Sequence, residues 1–329
     1  MNIFMTGASG FIGSKLAQRL AEEKHRLTIL LRHPSKAEEF ASAGMKIVFG
    51  DLSDRKKLKV GMRNCEWVFH LAAYTKPVSE DPELPYLINV TGTRNVLEAA
   101  KEQSVRKVII TSTAGTLGYS RDGLPVDETV KNTPEYRTEY EKTKASSENY
   151  ALDFSSERLD VVVVNPTRVY GPGKLTVSNS LTKIIKLYGK GLWRIMPGDG
   201  EAFGNYVFID DVVSGHILAA MHGRGGERYI LGGENIRYRE FFNILGDLYH
   251  RKRKLFTVNE PALKRMAKIA GLYSKLTKTS AVISNEWIAK YLRDWIVSSK
   301  KAETFLNYKI TPFIEGAEKT ILWLRSNNK

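Results

Sequence analysis

Over the first 165 residues, short apolar runs alternate with amphipathic stretches, and this alternation narrows the possible folds more than any other feature. The apolar runs are Asn2–Thr6, Leu27–Leu31, Met45–Phe49, Trp67–Leu71, Lys107–Thr111 and Val161–Asn165. Between them lie helical patterns, among them Gly13–Glu23, Leu84–Gln103 and Tyr136–Ser155. Near-continuous Val/Ile runs separated by helices belong to a parallel sheet covered on both faces. The expected class is α/β: a doubly wound parallel sheet with a smaller, mostly helical second region. That second region begins after Gly171-Pro172-Gly173. Beyond it strand signals thin out to Tyr206–Ile209, Arg228–Leu231 and the weaker Lys254–Val258.

Composition removes several alternatives. A chain that is 42% hydrophobic and 26% charged can bury a core, which excludes general disorder. Runs such as Val161–Val164 fall far short of the ~20 residues that span a bilayer. The N-terminus enters a strand pattern at once, without a basic segment or cleavage site, so a cytoplasmic location is expected. One cysteine, Cys65, allows neither an internal disulfide nor a cysteine-based zinc site. The six histidines show no metal-ligand spacing, so no catalytic metal is expected. Residues 251–329 carry 17 Lys/Arg against 6 Asp/Glu, or +11 of the formal net charge of +14. A nucleic-acid partner would suit such an excess, but the basic residues are interleaved with apolar ones at helical spacing. A solvated face that attracts anionic ligands is the preferred reading, and no nucleic acid is expected.

The first strand runs into Gly7-Ala8-Ser9-Gly10-Phe11-Ile12-Gly13 and then a helix pattern. Three glycines there permit a tight turn, close approach of backbone to a pyrophosphate, and close packing of helix on strand; the helix N-terminus then faces the anion. This is a Rossmann dinucleotide site by context as well as by motif. The second strand ends at Arg32 with no acidic residue beside it. An acid at that point holds the 2′-hydroxyl of NAD, whereas an arginine accommodates the 2′-phosphate of NADP. Arg32, with Ser9 and Lys36, therefore favours NADP(H), with NAD(H) as the alternative. Residues 1–170 form the expected cofactor domain, 206–232 return to it, and 171–329 mainly bind substrate.

Tyr140 and Lys144 are four apart in a helical stretch and share a face. A nearby ammonium is expected to lower the pKa of a tyrosine and suit it to proton transfer at a carbonyl or alcohol oxygen. Ser112 and Thr113 follow the strand Lys107–Thr111, where open α/β sheets bind ligands, and one hydroxyl there could bond the substrate oxygen.

The order of glycine turn, strand-end hydroxyl and Tyr-x-x-x-Lys resembles the extended branch of the short-chain dehydrogenase/reductase family. Gly50-Asp51-Leu52, His70-Leu71-Ala72-Ala73, Asn89-Val90-Thr91-Gly92-Thr93, Asn165–Pro172 and Tyr206–Val212 extend the match over roughly residues 1–250. The resemblance implies Tyr140 as acid/base, Lys144 on the nicotinamide ribose, and Thr113 as the hydroxyl partner. It implies Asp51 and Leu52 near the adenine, Ala72 and Ala73 along the cofactor cleft, and Pro166 beside the nicotinamide. Asn89 reads as structural or cofactor-side. Two activities compete. One is a ketone or aldehyde reductase like the dihydroflavonol 4-reductase and 3β-hydroxysteroid dehydrogenase group, which Thr111–Leu117 and Leu31–Lys36 resemble. The other is a nucleotide-sugar epimerase or dehydratase holding NAD tightly. Many such enzymes carry Arg-Asp where Gly204-Asn205 stands, and an acidic pair where Ala114-Gly115 stands, so the reductase is preferred. A non-catalytic dinucleotide-binding scaffold is the third reading.

The resemblance also implies a homodimer through Leu84–Gln103 and Tyr136–Ser155. Trp193, Met196 and Phe203 lie in the expected substrate loop, where each suits an apolar pocket wall and core packing equally. The stripe Leu263, Met266, Ala270, Tyr273 and Leu276, flanked by Lys264, Arg265, Lys268, Lys275 and Lys278, reads as a core-facing helix in preference to a membrane-surface one.

Overall fold

The computed structural model describes residues 1–75, 81–130, 136, 138–277, 288 and 291–327. Seven strands form one parallel sheet: β1 (Asn2–Thr6), β2 (Arg26–Leu31), β3 (Lys46–Phe49), β4 (Trp67–His70), β5 (Lys107–Thr111), β6 (Asp160–Pro166) and β10 (Arg228–Leu231). Their order is β3-β2-β1-β4-β5-β6-β10. The chain runs outward from β1 in one direction to β3 and then crosses back to β4. This reversal opens a crevice between the carboxyl ends of β1 and β4, where such sheets bind ligands.

Successive strand residues point to opposite faces, so each strand feeds two cores. Ile3, Met5, Ile29, Phe69, Ile109 and Val162 pack on one face with the helices Phe11–Glu22 and Ile209–His222. Phe4, Leu30, Val68, Val108, Ile110 and Val161 pack on the other with Arg55–Met62, Gly92–Glu102 and Glu139–Phe154. The Val/Ile runs lack polar alternation because neither face meets water.

The region after residue 170 holds more strand than its sequence pattern predicts. β7 (Arg168–Tyr170) pairs in parallel with β9 (Phe203–Phe208), and β11 (Glu234–Arg237) pairs antiparallel to β9. β8 (Ile195–Pro197) pairs with β12 (Phe256–Val258). The strand expected at Tyr206–Ile209 thus starts three residues earlier, and Ile209 opens a helix. These strands have only 3 to 6 residues, too few for a periodicity to show. Asp211, at the head of that helix, accepts from the Thr311 amide at 2.8 Å and its hydroxyl at 2.7 Å. It ties the C-terminal segment down and leaves the Asp210-Asp211 motif a structural role.

In the helix Glu260–Thr277, Leu263 and Ala267 are buried, Met266 and Ala270 are half-buried, and the Lys264, Arg265 and Lys268 side chains are exposed. Lys278 and the side chains of Tyr273, Lys275 and Leu276 lie outside the described residues. Among the described residues, no helix is long and apolar enough to cross a membrane.

Candidate active site

The crevice at the strand reversal is a cleft of about 740 Å³. At its centre β1 ends at Thr6, and the chain turns with Gly7 at φ +76° and the Gly10 amide donating to the Gly7 carbonyl at 3.0 Å. A Cβ on Gly7 would stand 2.5 Å from the Ala72 amide nitrogen, and one on Gly13 would stand 2.2 Å from the Gly7 carbonyl oxygen. Only glycine lets β1, β4 and the first helix approach so closely. That helix starts with no side chain capping its amides and no acid in its first turn. Its exposed N–H groups and dipole favour an anion. Ser9, Gly10, Phe11, Ile12 and Gly13 all line the cleft here, with Ala72 and Ala73 opposite them.

At one end stand Arg32, Lys36, Asp51 and Leu52. Arg32 and Lys36 are exposed. Asp51 accepts from both the amide and the hydroxyl of Ser53, at 2.7 and 2.6 Å, and these bonds, with a smaller contribution from Arg32, hold its carboxyl below the ordinary carboxylate range.

At the other end lie Ser112, Thr113, Tyr140 and Pro166. The helix Glu139–Phe154 begins where the Thr138 hydroxyl accepts from the Glu141 amide at 3.1 Å, in a Thr-x-x-Glu sequence suited to helix starts. This cap puts Tyr140 in the first turn, facing the cleft. Thr113 caps the next short turn by accepting from the Gly115 amide at 3.2 Å, which leaves its hydroxyl proton to donate elsewhere. Ser112 reaches the cleft, but its hydroxyl donates to buried Glu148 at 2.6 Å.

Lys144 departs from expectation. It is 2% exposed and does not line the cleft. Burial lowers it to about 8, with Glu148 partly opposing that shift. The Tyr140 hydroxyl is not lowered by Lys144: burial, and then the Glu141 carboxylate, push it up to about 12. The low-dielectric wall around the phenol and the adjacent carboxylate both favour its neutral form. Asn89 has a firmer structural role than its motif suggests. Its carboxamide accepts from the Tyr74 amide at 2.7 Å and donates to the Tyr74 carbonyl at 3.2 Å and the Thr143 hydroxyl at 3.0 Å. It sits in a π-turn, Leu87–Thr91, that locally widens the helix next to the one carrying Tyr140.

The apolar trio Trp193, Met196 and Phe203 does not line the cleft. Trp193 is buried with its indole N–H donating to the Ile195 carbonyl at 2.8 Å, Met196 is core, and Phe203 lies under Arg237. The large side chains at that end are instead Arg168, Tyr291 and Trp295. The Arg168 guanidinium lies 4.6 Å from the Tyr291 ring centre and 5.0 Å from that of Trp295, and it donates to the Tyr238 hydroxyl. Burial alone would lower its proton affinity, but the tyrosines around it more than offset that cost and keep it protonated. Gly204 makes room for it, since a Cβ there would come 2.4 Å from the Arg168 Nη1. Arg168 was visible within Asn165–Pro172, whereas no local pattern marks Tyr291 or Trp295.

The model of the NAD dependent epimerase/dehydratase family matches residues 3–232. The chain belongs to that family, and with it to the extended short-chain dehydrogenases/reductases. A Synechocystis sp. protein provisionally named dihydroflavonol 4-reductase is 32% identical over 238 residues, covering 71% of this chain and 68% of that one. Cinnamoyl-CoA reductase 1 of Petunia hybrida is 30% identical over 285 residues, 80% of this chain and 82% of that one. Among solved structures, gox2253 superposes with a TM-score of 0.82 at 31% identity, over 99% of this chain and 98% of that one. The UDP-glucose 4-epimerase of Thermotoga maritima reaches 0.81 at 23% identity over the whole of both chains, and shares the fold.

Proposed function

We propose that this enzyme is an NADP(H)-preferring reductase that interconverts a ketone or aldehyde with its alcohol, in the manner of the dihydroflavonol 4-reductase group. The observation that carries the reading is the convergence of Tyr140 and Thr113 on one end of a cleft whose other end offers two exposed cations, with no acid at the end of β2. The uncapped helix N-terminus, the glycine turn and the cations make a donor set that fits a phosphorylated dinucleotide. Gly7, Ser9, Gly10, Phe11, Ile12 and Gly13 would hold its pyrophosphate, and Arg32, Lys36 and Ser9 its 2′-phosphate. Asp51 and Leu52 would flank the adenine, and Ala72, Ala73, Ser112 and Pro166 the remainder. The bound nicotinamide supplies a hydride acceptor or donor.

The chain's own groups handle the proton and the charge. Thr113 donates to the substrate oxygen as negative charge builds there, and Tyr140 delivers the proton to that atom. Lys144 contributes positive charge behind the phenol. Tyr291, Trp295 and Leu181 give the substrate end an apolar wall, which suits an apolar carbonyl compound. Gly204 and Asn205 disfavour a sugar nucleotide. Gly204 has no side chain to meet a diphosphate, and the Asn205 carboxamide is engaged by Thr167, Gly233 and Asn235. This reading includes a cytoplasmic enzyme that pairs through the helices Leu84–Tyr86 to Gly92–Glu102 and Glu139–Phe154; light scattering on the purified protein checks the dimer.

The experiment is to denature the purified protein, identify any nucleotide it releases, and titrate the protein with NADPH and NADH. A protein that releases none and binds NADPH more tightly than NADH supports the reading. Stoichiometric release of NAD⁺ would replace it with a self-recycling epimerase or dehydratase.

A further inference from the structure

The helix that carries Tyr140 and Lys144 places a third ionisable residue on the same face. Glu148 lies one turn beyond Lys144 and is 1% exposed. Its Oε2 accepts three bonds: from the Ser112 hydroxyl at 2.6 Å, the Thr116 hydroxyl at 2.9 Å and the Asn165 side-chain amide at 3.0 Å. Its Oε1 pairs with the Arg228 guanidinium at 3.0 Å. These partners come from β5, β6, β10 and the short turn after Thr113. Two of them also hold the Thr113 carbonyl, Thr116 through its backbone amide at 3.1 Å and Asn165 through its side-chain amide at 3.2 Å, while the single Thr116 hydroxyl proton is shared between that carbonyl and Glu148. One carboxylate therefore ties Ser112 directly, and Thr113 through its carbonyl, to the helix that carries Tyr140.

A buried carboxylate among three neutral donors and one cation is costly unless its charge serves something. Half-buried Arg228 is one cation it serves; the buried Lys144, one turn earlier on the same helix, is another. The other groups facing this pair are few. His70 from β4 is held neutral, its pKa pushed down to about 3 by burial and then by Lys144. Tyr136 lies near Glu148 and Arg228 and is itself raised by burial and Glu148. Asn89 and Thr143 are neutral, and Arg94 stacks on Tyr150. Glu148 is the anion that offsets the burial of Lys144.

We infer that Glu148 is a positioning residue for the reduction: it fixes the Thr113 backbone through Thr116 and Asn165, and it keeps the Lys144 ammonium charged behind Tyr140, with Arg228 limiting its pull. The inference rests on the roles proposed above for Tyr140, Lys144 and Thr113. It differs from simple scaffolding by a sign. Removing the carboxylate strips Lys144 of its counter-charge, whereas removing Arg228 leaves the carboxylate wholly to Lys144.

The test is a ¹³C NMR titration of the full chain labelled at lysine Cε, with the Lys144 resonance identified as the one missing from Lys144→Met. Glu148→Gln should lower the Lys144 midpoint by about one pH unit. Arg228→Gln should raise it by about half as much. The alkaline limit of carbonyl reduction should move in step, so that Glu148→Gln loses about tenfold in rate above pH 8 and little at pH 6. If Glu148→Gln does not fold, the direction of the Arg228→Gln shift decides. A midpoint unmoved by Glu148→Gln, or lowered by Arg228→Gln, overturns the inference. Tyr140→Phe separates the two claims: its full activity would refute the proposed chemistry, and the lysine midpoint reports on Glu148 whatever that result.

Discussion

Acidification should unfold this protein through two histidines. His70 is buried between Thr6, 2.7 Å from Nδ1, and Thr93, 3.1 Å from Nε2. The Thr93 hydroxyl donates its proton to the Asn89 carbonyl at 2.6 Å, so it must accept from His70, which puts the imidazole hydrogen on Nε2 and the Thr6 hydroxyl proton toward Nδ1. His216 is held in the same way by the Val212 carbonyl at 2.7 Å and the Thr111 hydroxyl at 2.9 Å. Both networks suit a neutral ring: a second proton would make the threonine hydroxyl turn to accept and would leave a charge buried away from water. Burial accordingly pushes the pKa of His70 down to about 3 and that of His216 to about 4. In the unfolded chain each titrates near 6.5. Between pH 6.5 and about 4 the unfolded state alone takes up these protons, so stability present above pH 6.5 is lost as pH falls. At pH 5 each histidine is about 1.5 units below its unfolded value, a cost of about 2 kcal/mol each and about 4 together. That is a large fraction of the ~5–15 kcal/mol typical of a folded domain. Two carboxyls with raised values, half-buried Glu128 and buried Asp211, act in the opposite direction, each regaining stability as it takes up its proton in the folded state. Urea unfolding followed by circular dichroism at pH 7.5 and pH 5 measures the loss. His70→Gln and His216→Gln should each remove about half of it, whatever each does to stability at pH 7.5. An equal loss in the wild type and both variants would refute the assignment.

Arg32→Ala should weaken NADPH binding by about 10- to 100-fold, the worth of one charge-assisted bond to phosphate, and leave NADH within a factor of about two; calorimetric titration of both nucleotides checks it. Tyr140→Phe should cut kcat by about 10²–10⁴ with little change in nucleotide affinity, read by steady-state kinetics and the same titration. Gly7→Ala must force a side chain onto a backbone at φ +76° and within 2.5 Å of the Ala72 amide. It should cost about 3 kcal/mol or more, seen as a lower Tm, together with loss of nucleotide binding.

Much of this architecture could be read locally. The strands β1 to β6 are evident as apolar runs because the sheet is covered on both faces. The glycine turn is evident because backbone contact there tolerates no side chain. The short strands β7, β8 and β11 were not legible, since pairing across the chain defines them and 3 to 4 residues carry no period, while β12 was marked only weakly, within Lys254–Val258. Trp193 and Met196 stayed open between pocket and core because an apolar residue in a loop fits either equally well by type, and burial placed them in the core. Tyr291 and Trp295 enter the cleft from the far end of the chain, where nothing nearby in sequence hints at it.

What the sequence alone determined was the kind of fold and the chemical types at the cleft: three glycines, two hydroxyls, a tyrosine and a strand-end arginine. These follow from short-range rules of backbone sterics, helix spacing and hydrophobic period. Tertiary structure alone decided the electrostatics. Tyr140 and Lys144 share a helix face in any helix, but their proton affinities depend on how much water the surrounding strands exclude and on which charges those strands bring near. Burial raises the phenol and lowers the amine, and Glu148 and Arg228 meet beside them only because β10 folds back against β6.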